Sequence, residues 1–239
     1  MKRLFLLTIA LFAIAGGTFW YLDQQAHQSI AVSGGATLSQ NVQALQAAAK
    51  VGNAQAQYEL AQRFETGEGV PKNLKQAFNW YKKSAEQGLS EARFKMGWMF
   101  ANGSGTRQDY FTAAKWYRVA ATLSNHPESQ FRLGELYFNG RGVAQDYGKA
   151  IDFYTKAATK GHAASQYLLG AMFMEGWGVA RDYIRAYVWL KQAAPHADQA
   201  MAVHKQYDPE LKLALLIKKM NNFQISKAEK QLANLKTKR

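Results

Sequence analysis

The chain has 239 residues, 48% of them apolar, and no cysteine, so it can bury a core while disulfides, thiolate chemistry and cysteine-ligated zinc are all excluded. Its formal net charge of +13 is unevenly spread. From Asp23 to Glu210, 20 lysines and arginines face 16 acids, whereas from Leu211 onward eight face Glu229 alone, so the basicity is mostly a C-terminal tail.

At the N-terminus, Lys2 and Arg3 precede LFLLTIALFAIAGGTFWYL, an uncharged and largely apolar run from Leu4 to Leu22 that predicts engagement with a membrane. Two readings stand. Nineteen residues nearly span a bilayer, with Phe19, Trp20 and Tyr21 suited to the outer interface, which describes a retained anchor. Ala13-Ile14-Ala15 offers an A-x-A cleavage site, which describes a removed signal peptide. Either would export the remainder. Asp23 to Thr37 has no helical periodicity and contains Ser33-Gly34-Gly35, the composition of a flexible tether.

The pattern that follows repeats four times. Glycine pairs fall at Gly67/Gly69, Gly103/Gly105, Gly140/Gly142 and Gly176/Gly178, stepping by 36, 37 and 36 residues. Each unit predicts two amphipathic helices. Apolar positions recur at i, i+4, i+8 in the first (Ala92, Met96, Phe100; Ser129, Leu133, Tyr137) and again in the second (Ala113, Tyr117, Ala121; Ala150, Tyr154, Ala158). Gly97, Gly134 and Gly170 interrupt the first helices at one repeat position. Glycine there costs about 0.5–1 kcal/mol against alanine, so close packing of backbone on backbone is expected to offset it. The glycine pairs end the first helices, and Asn73, Asp109, Asp146 and Asp182 are the expected N-caps of the second. With no third glycine and no preceding strand, the pairs are turns and not a nucleotide cradle.

These residues carry a resemblance. ASQYLLGAMFMEGWGVARDYIRAYVWLKQAA is similar to a Sel1-like repeat, a relative of the tetratricopeptide repeat, in its Leu-Gly pair, GxGV turn, Asp cap and closing Ala-Ala. Met96 for leucine, Ala61 for glycine, Thr106 for valine and Asn73 for aspartate are small departures. The resemblance implies an all-α superhelical solenoid of four helix-turn-helix repeats with N- and C-terminal capping helices. It also implies a non-catalytic scaffold that binds protein partners, associated with the bacterial envelope. β-Lactam chemistry linked to cysteine-rich relatives is not carried over, since the chain has neither cysteine nor an S-x-x-K motif. The expected organisation is a signal peptide or transmembrane anchor (1–22), a linker (23–38), the solenoid (39–197) and basic C-terminal capping helices (198–239). Expected localisation is periplasmic, held at the inner membrane or secreted after cleavage.

No catalytic residue, cofactor site or metal ligand set is nominated, and nucleic acid is not an expected partner. His126, His162 and His196 occupy similar inter-repeat corners, too far apart for shared metal ligation. Tyr81, Tyr117 and Tyr154 recur at framework positions and are expected in the core. Trp98 and Trp177 do not recur: the other units place Gln62, Glu135 and Ala171 at the first position, and Glu68, Ser104 and Arg141 at the second. The column Glu59, Lys95, Arg132, Leu168 likewise varies off the apolar stripe. If the first helices line the concave side, Lys95, Trp98, Arg132, Glu135 and Trp177 are the candidate partner-binding residues. The alternative is a module that binds an anionic envelope polymer or surface through the basic C-terminal helix.

Overall fold

The protein, a computed structural model, is described over residues 41–236, so the expected anchor or signal (1–22) and linker (23–38) lie outside the described residues. No strand occurs among the described residues. Helix α1 (41–50) is followed by four helix pairs: α2 (Ala54–Thr66) with α3 (Leu74–Glu86), α4 (Ser90–Asn102) with α5 (Tyr110–Leu123), α6 (Pro127–Asn139) with α7 (Tyr147–Ala158), and α8 (Ala163–Glu175) with α9 (Tyr183–Ala193). A 3₁₀ turn (Ala194–His196), α10 (Ala197–Val203), α11 (Pro209–Ile217) and α12 (Asn222–Lys236) complete the chain. Each pair packs on itself and on the next, the expected solenoid.

The pairing rests on a ring set into a gap. A Cβ at Gly134 on α6 would lie 2.7 Å from two ring carbons of Tyr154 on α7. Tyr154 is 1% exposed, so the missing methyl is the space its ring occupies. Gly97 receives Tyr117 in the same way, and Gly170 receives Leu190. The expectation of backbone against backbone is therefore corrected: these glycines admit a side chain from the partner helix. In the first repeat Ala61, fully buried, stands at this position.

Backbone does meet backbone at the second glycine of two turns, Gly105 and Gly142, while Gly178 faces the Tyr147 side chain. Gly142 has φ +69°, and a Cβ there would fall 2.3 Å from the carbonyl carbon of Tyr110, at the start of α5 in the preceding repeat. That glycine both permits the left-handed turn and lets one repeat touch the next. The equivalent Gly69 reaches Val42 of α1, which places α1 where a preceding second helix would lie. The N-cap expectation holds: Asp109 accepts from the Phe111 and Thr112 amides at 2.9 and 3.1 Å, Asp146 from Lys149 and Asp182 from Arg185, both at 2.9 Å, and Asn73 from Gln76 at 3.0 Å.

A further joint escaped the sequence reading. Gln57, Gln130 and Gln166, all buried, donate to the carbonyls of Ala49, Ala121 and Ala158 at 3.1, 3.2 and 3.0 Å, each near the end of the preceding helix. Arg93 takes the same role towards Ala85 at 3.3 Å. Helix ends leave carbonyls short of intrahelical donors, and one side chain per repeat adds a bond there, at Ala49, Ala85 and Ala158 beside the amide of a turn glycine. At the far end α11 and α12 both pack on α9, with Leu216, Ala228 and Leu232 buried, as a cap should.

Gly134→Ala is expected to lower stability by about 1–2 kcal/mol, the overpacking cost less the helical gain. Gly142→Ala should cost more, because backbone stands in the way and its φ disfavours any Cβ. Urea unfolding followed by circular dichroism checks both, and an unchanged midpoint for Gly134→Ala would contradict the ring-in-gap account.

Candidate partner-binding groove

The first helices of the second and third repeats, α4 and α6, touch each other. Members of the columns that vary between repeats line open recesses on this side, Glu59 and Gln62 one on α2, and Trp98, Arg132 and Glu135 another. A recess of about 250 Å³ opens between α4 and α6, lined by Trp98, Arg132 and Glu135 along with Tyr117, Tyr110 and Arg141. Three of the five candidate residues are thus brought together.

Arg132 holds the recess by a double ion pair within its own helix. Its Nε lies 3.0 Å from Glu128 Oε1 and its terminal nitrogen 3.0 Å from Glu135 Oε2, the i, i+3 and i, i+4 neighbours that a helix presents on one face. Burial acts to lower Arg132, but Glu135 and Glu128 together hold it above its ordinary range. The two carboxylates respond differently. Burial raises Glu135 and Arg132 only partly offsets it, so its carboxyl sits above the usual range. Burial also acts to raise Glu128, yet the His162 hydrogen bond and the Arg132 charge outweigh it and hold it below. That hydrogen bond, 3.0 Å from His162 Nε2 to Glu128 Oε2, joins the third repeat to the fourth.

His126 and His162 have their own explanation. Each is the N-cap of a first helix, its Nδ1 accepting from the amide three residues on, Ser129 at 3.1 Å and Ser165 at 3.2 Å. Their rings lie on Phe94 and Phe131. Among the described residues no group of three or more His, Asp or Glu is placed to hold a metal ion.

Lys95 lies one turn before Trp98 and is engaged. Its ammonium is 3.0 Å from Glu65 in the preceding repeat and 5.4 Å from the Trp98 ring centre. The Tyr81 hydroxyl donates to the same Glu65. Lys95 therefore steadies the wall that Trp98 presents. At the floor the Tyr117 ring fills the Gly97 gap, and burial pushes its hydroxyl well above the ordinary range, so it remains a donor. No described side chain takes that donor. Trp177 is elsewhere, 43% exposed on the fourth turn with its ring 5.8 Å from that of Phe138.

The fourth repeat departs from expectation. Leu168 and Ala171, the fourth members of the variable columns, are buried, because α8 is covered on nearly all sides. Helix α10 packs on it, Tyr207 stacks on Tyr167 at 4.9 Å, and the Tyr167 hydroxyl donates to the Gln206 carbonyl at 3.0 Å. Burial, with the nearby Glu135 charge, pushes Tyr207 up to about 12. The C-terminal segment thus closes one end of the groove, and the open part runs along α2, α4 and α6.

The fold defines an α/α solenoid with an open recess between its first helices. Residues 54–89, 90–125, 127–162 and 163–194 each match the Sel1 repeat, and the chain belongs to the Sel1 repeat family. That family commonly mediates protein–protein interaction, and its scaffold proteins are generally non-catalytic. A Sel1 repeat protein from Oxalobacter formigenes is 30% identical with a TM-score of 0.64, over 80% of this chain and 76% of that one. A protective antigen of uropathogenic Escherichia coli strains, displaying an SLR fold, is 37% identical with a TM-score of 0.63 over 65% of this chain. The match covers 33% of the antigen, so this chain accounts for about a third of its length. No curated protein matches the chain.

Glu128→Gln is expected to lower stability at pH 7 by roughly 1–2 kcal/mol, the loss of charge-assisted hydrogen bonds to Arg132 and His162. A carboxyl held below its ordinary range stabilises the fold above that range and ceases to as pH falls through it. The gap between wild type and variant should therefore narrow on acidification, as urea midpoints at pH 7 and pH 4 would show.

Proposed function

We propose that the protein is a non-catalytic scaffold of the bacterial envelope that binds an extended segment of a partner protein along α2, α4 and α6. The observation that carries this is the juxtaposition of Trp98, Arg132, Glu135 and the donor hydroxyl of Tyr117 around one open recess. A half-buried tryptophan beside a paired arginine supplies an aromatic wall at little entropic cost, and such residues dominate the energetics of protein interfaces. The Tyr117 hydroxyl suits a partner carbonyl. Lys95 belongs to this reading as the residue that positions Trp98, and Trp177 as a second, separate contact. Bacterial Sel1-repeat homologues are often exported. We place the solenoid, 39–197 with its caps at 198–239, in the periplasm, delivered by residues 1–22 as anchor or cleaved signal and spaced by 23–38.

A photo-crosslinking residue at Asn102, on the rim of the recess, should capture the partner in cells. With that partner purified, Trp98→Ala is expected to weaken binding at least ten-fold without shifting the thermal midpoint, while Trp177→Ala does less. Because Lys95 and Arg132 are already paired with carboxylates, affinity should change little between 50 and 500 mM salt. Unchanged affinity for Trp98→Ala and for Arg132→Ala would overturn the groove reading.

A further inference from the structure

Away from the groove, the C-terminal helices carry an unusual surface. Among the described residues nine large apolar side chains are exposed, and five of them, Leu211, Leu215, Ile217, Phe223 and Leu235, fall in α11 and α12. Scattered exposed apolar residues need no account, but their concentration in these two helices does. Phe223 is the extreme case at 74% exposed, with Leu211 at 60%.

The helical register explains why Leu211, Leu215 and Phe223 face outward. Leu213 and Leu216 of α11, and Ala228 and Leu232 of α12, are buried by the cap. Leu211, Leu215 and Lys218 recur at i, i+4, i+7 on the opposite side of α11, and Phe223, Lys227 and Lys230 do the same on α12. Both helices therefore carry large apolar and cationic side chains on their outer faces. Between them the turn adds Lys219, beside exposed Ile217.

These cations are not spent within the fold. Lys212 pairs with Glu175 at 2.9 Å, and Lys219 adds a weaker pull on the same carboxylate. Lys218, Lys219, Lys227 and Lys230 have no ion pair among the described residues. Of the two acids in these helices, Glu229 accepts from the Tyr187 hydroxyl and Glu210 lies in the first turn of α11, away from the four lysines in sequence. The surface is thus cationic and apolar at once.

We propose that the α11–α12 corner docks on an anionic lipid bilayer, its lysines meeting headgroup phosphates while Phe223, Ile217 and the outer leucines enter the interface. A soluble polyanion would use the lysines and leave the apolar side chains in water. A second copy would set lysine against lysine. An anionic bilayer satisfies both chemistries, because flexible lysine stems let the charged ends stay at headgroup level while shorter apolar groups go deeper. Each lysine near such a surface strengthens partitioning about five-fold, so four act together appreciably.

The absence of cysteine allows a single probe to be placed. In the full-length chain, Asn222→Cys carries an environment-sensitive dye beside Phe223, reporting this corner whatever else in the chain touches lipid. With vesicles of phosphatidylcholine containing a third phosphatidylglycerol, the dye emission should shift to the blue. The shift should be absent with phosphatidylcholine alone, disappear when Lys218, Lys219, Lys227 and Lys230 are changed to glutamate, and shrink with Phe223→Ser. Circular dichroism of each variant establishes that the solenoid is intact. No shift on anionic vesicles overturns the proposal. So does an equal shift on neutral vesicles, a shift with soluble polyphosphate of the same size, or a dye already blue-shifted in buffer, which would mean that the chain or a second copy covers the face.

Discussion

The solenoid depends on one steric arrangement, a large side chain of the second helix seated where the first helix has no side chain. Tyr117 over Gly97, Tyr154 over Gly134 and Leu190 over Gly170 set how closely the helices of a pair approach, and the ring or leucine fills the space completely. Interiors packed to this density transmit position, so the outward face of each first helix is fixed with it. The second glycine of each turn then sets the spacing between pairs, since it touches the helix before it, through backbone at Gly105 and Gly142 and through the Val42 and Tyr147 side chains at Gly69 and Gly178. Groove geometry follows from these two contacts before any groove residue is considered.

On this repeated frame the chemistry lies in what does not repeat. Glu65 pairs with Lys95 across one joint, and Glu128 meets His162 across another, so the charges of the groove are largely neutralised where they arise. Partly buried pairs of this kind add specificity of position more than stability, because desolvation cancels much of their attraction. The outcome is a groove of low net field with an aromatic wall, and a C-terminal corner where cations stand unpaired. The two surfaces differ in the physics by which they would attract a ligand: shape and aromatic contact in one, electrostatics joined to interfacial insertion in the other.

Much of this was legible in the sequence because it recurs. The four-fold period gave helices, turns and caps, since the 36-residue spacing and the Asp caps state the same local rule several times. The grouping of Trp98, Arg132 and Glu135 was legible as departure from the period. The purpose of Gly134 was not, since a missing side chain does not say whether backbone or ring takes its place. The column Gln57, Arg93, Gln130, Gln166 carried a signal that polarity at a buried position could have revealed, but its carbonyl partners lie in other helices. Glu65 and Tyr207 had no periodic signal at all. Their roles arise from contacts across 30 and 40 residues, Glu65 with Lys95 and Tyr207 with Tyr167.

The closed fourth repeat bounds what the groove can hold. Tyr207 stacked on Tyr167, with the Gln206 carbonyl accepting from the Tyr167 hydroxyl, shows the chain's own irregular backbone held through an aromatic side chain and a carbonyl. The open recess offers the same two kinds of contact, Trp98 for stacking and the Tyr117 hydroxyl for a carbonyl. Only α2, α4 and α6 remain to line it, and packed helices stand about 8–10 Å apart, so the open groove spans roughly 20 Å. An extended chain advances about 3.3 Å per residue, so a segment of about six residues would fit. A longer partner segment would have to displace α10 and its turn, giving up the burial of Leu168 and Ala171, which makes the C-terminal closure a limit on ligand length as well as a cap.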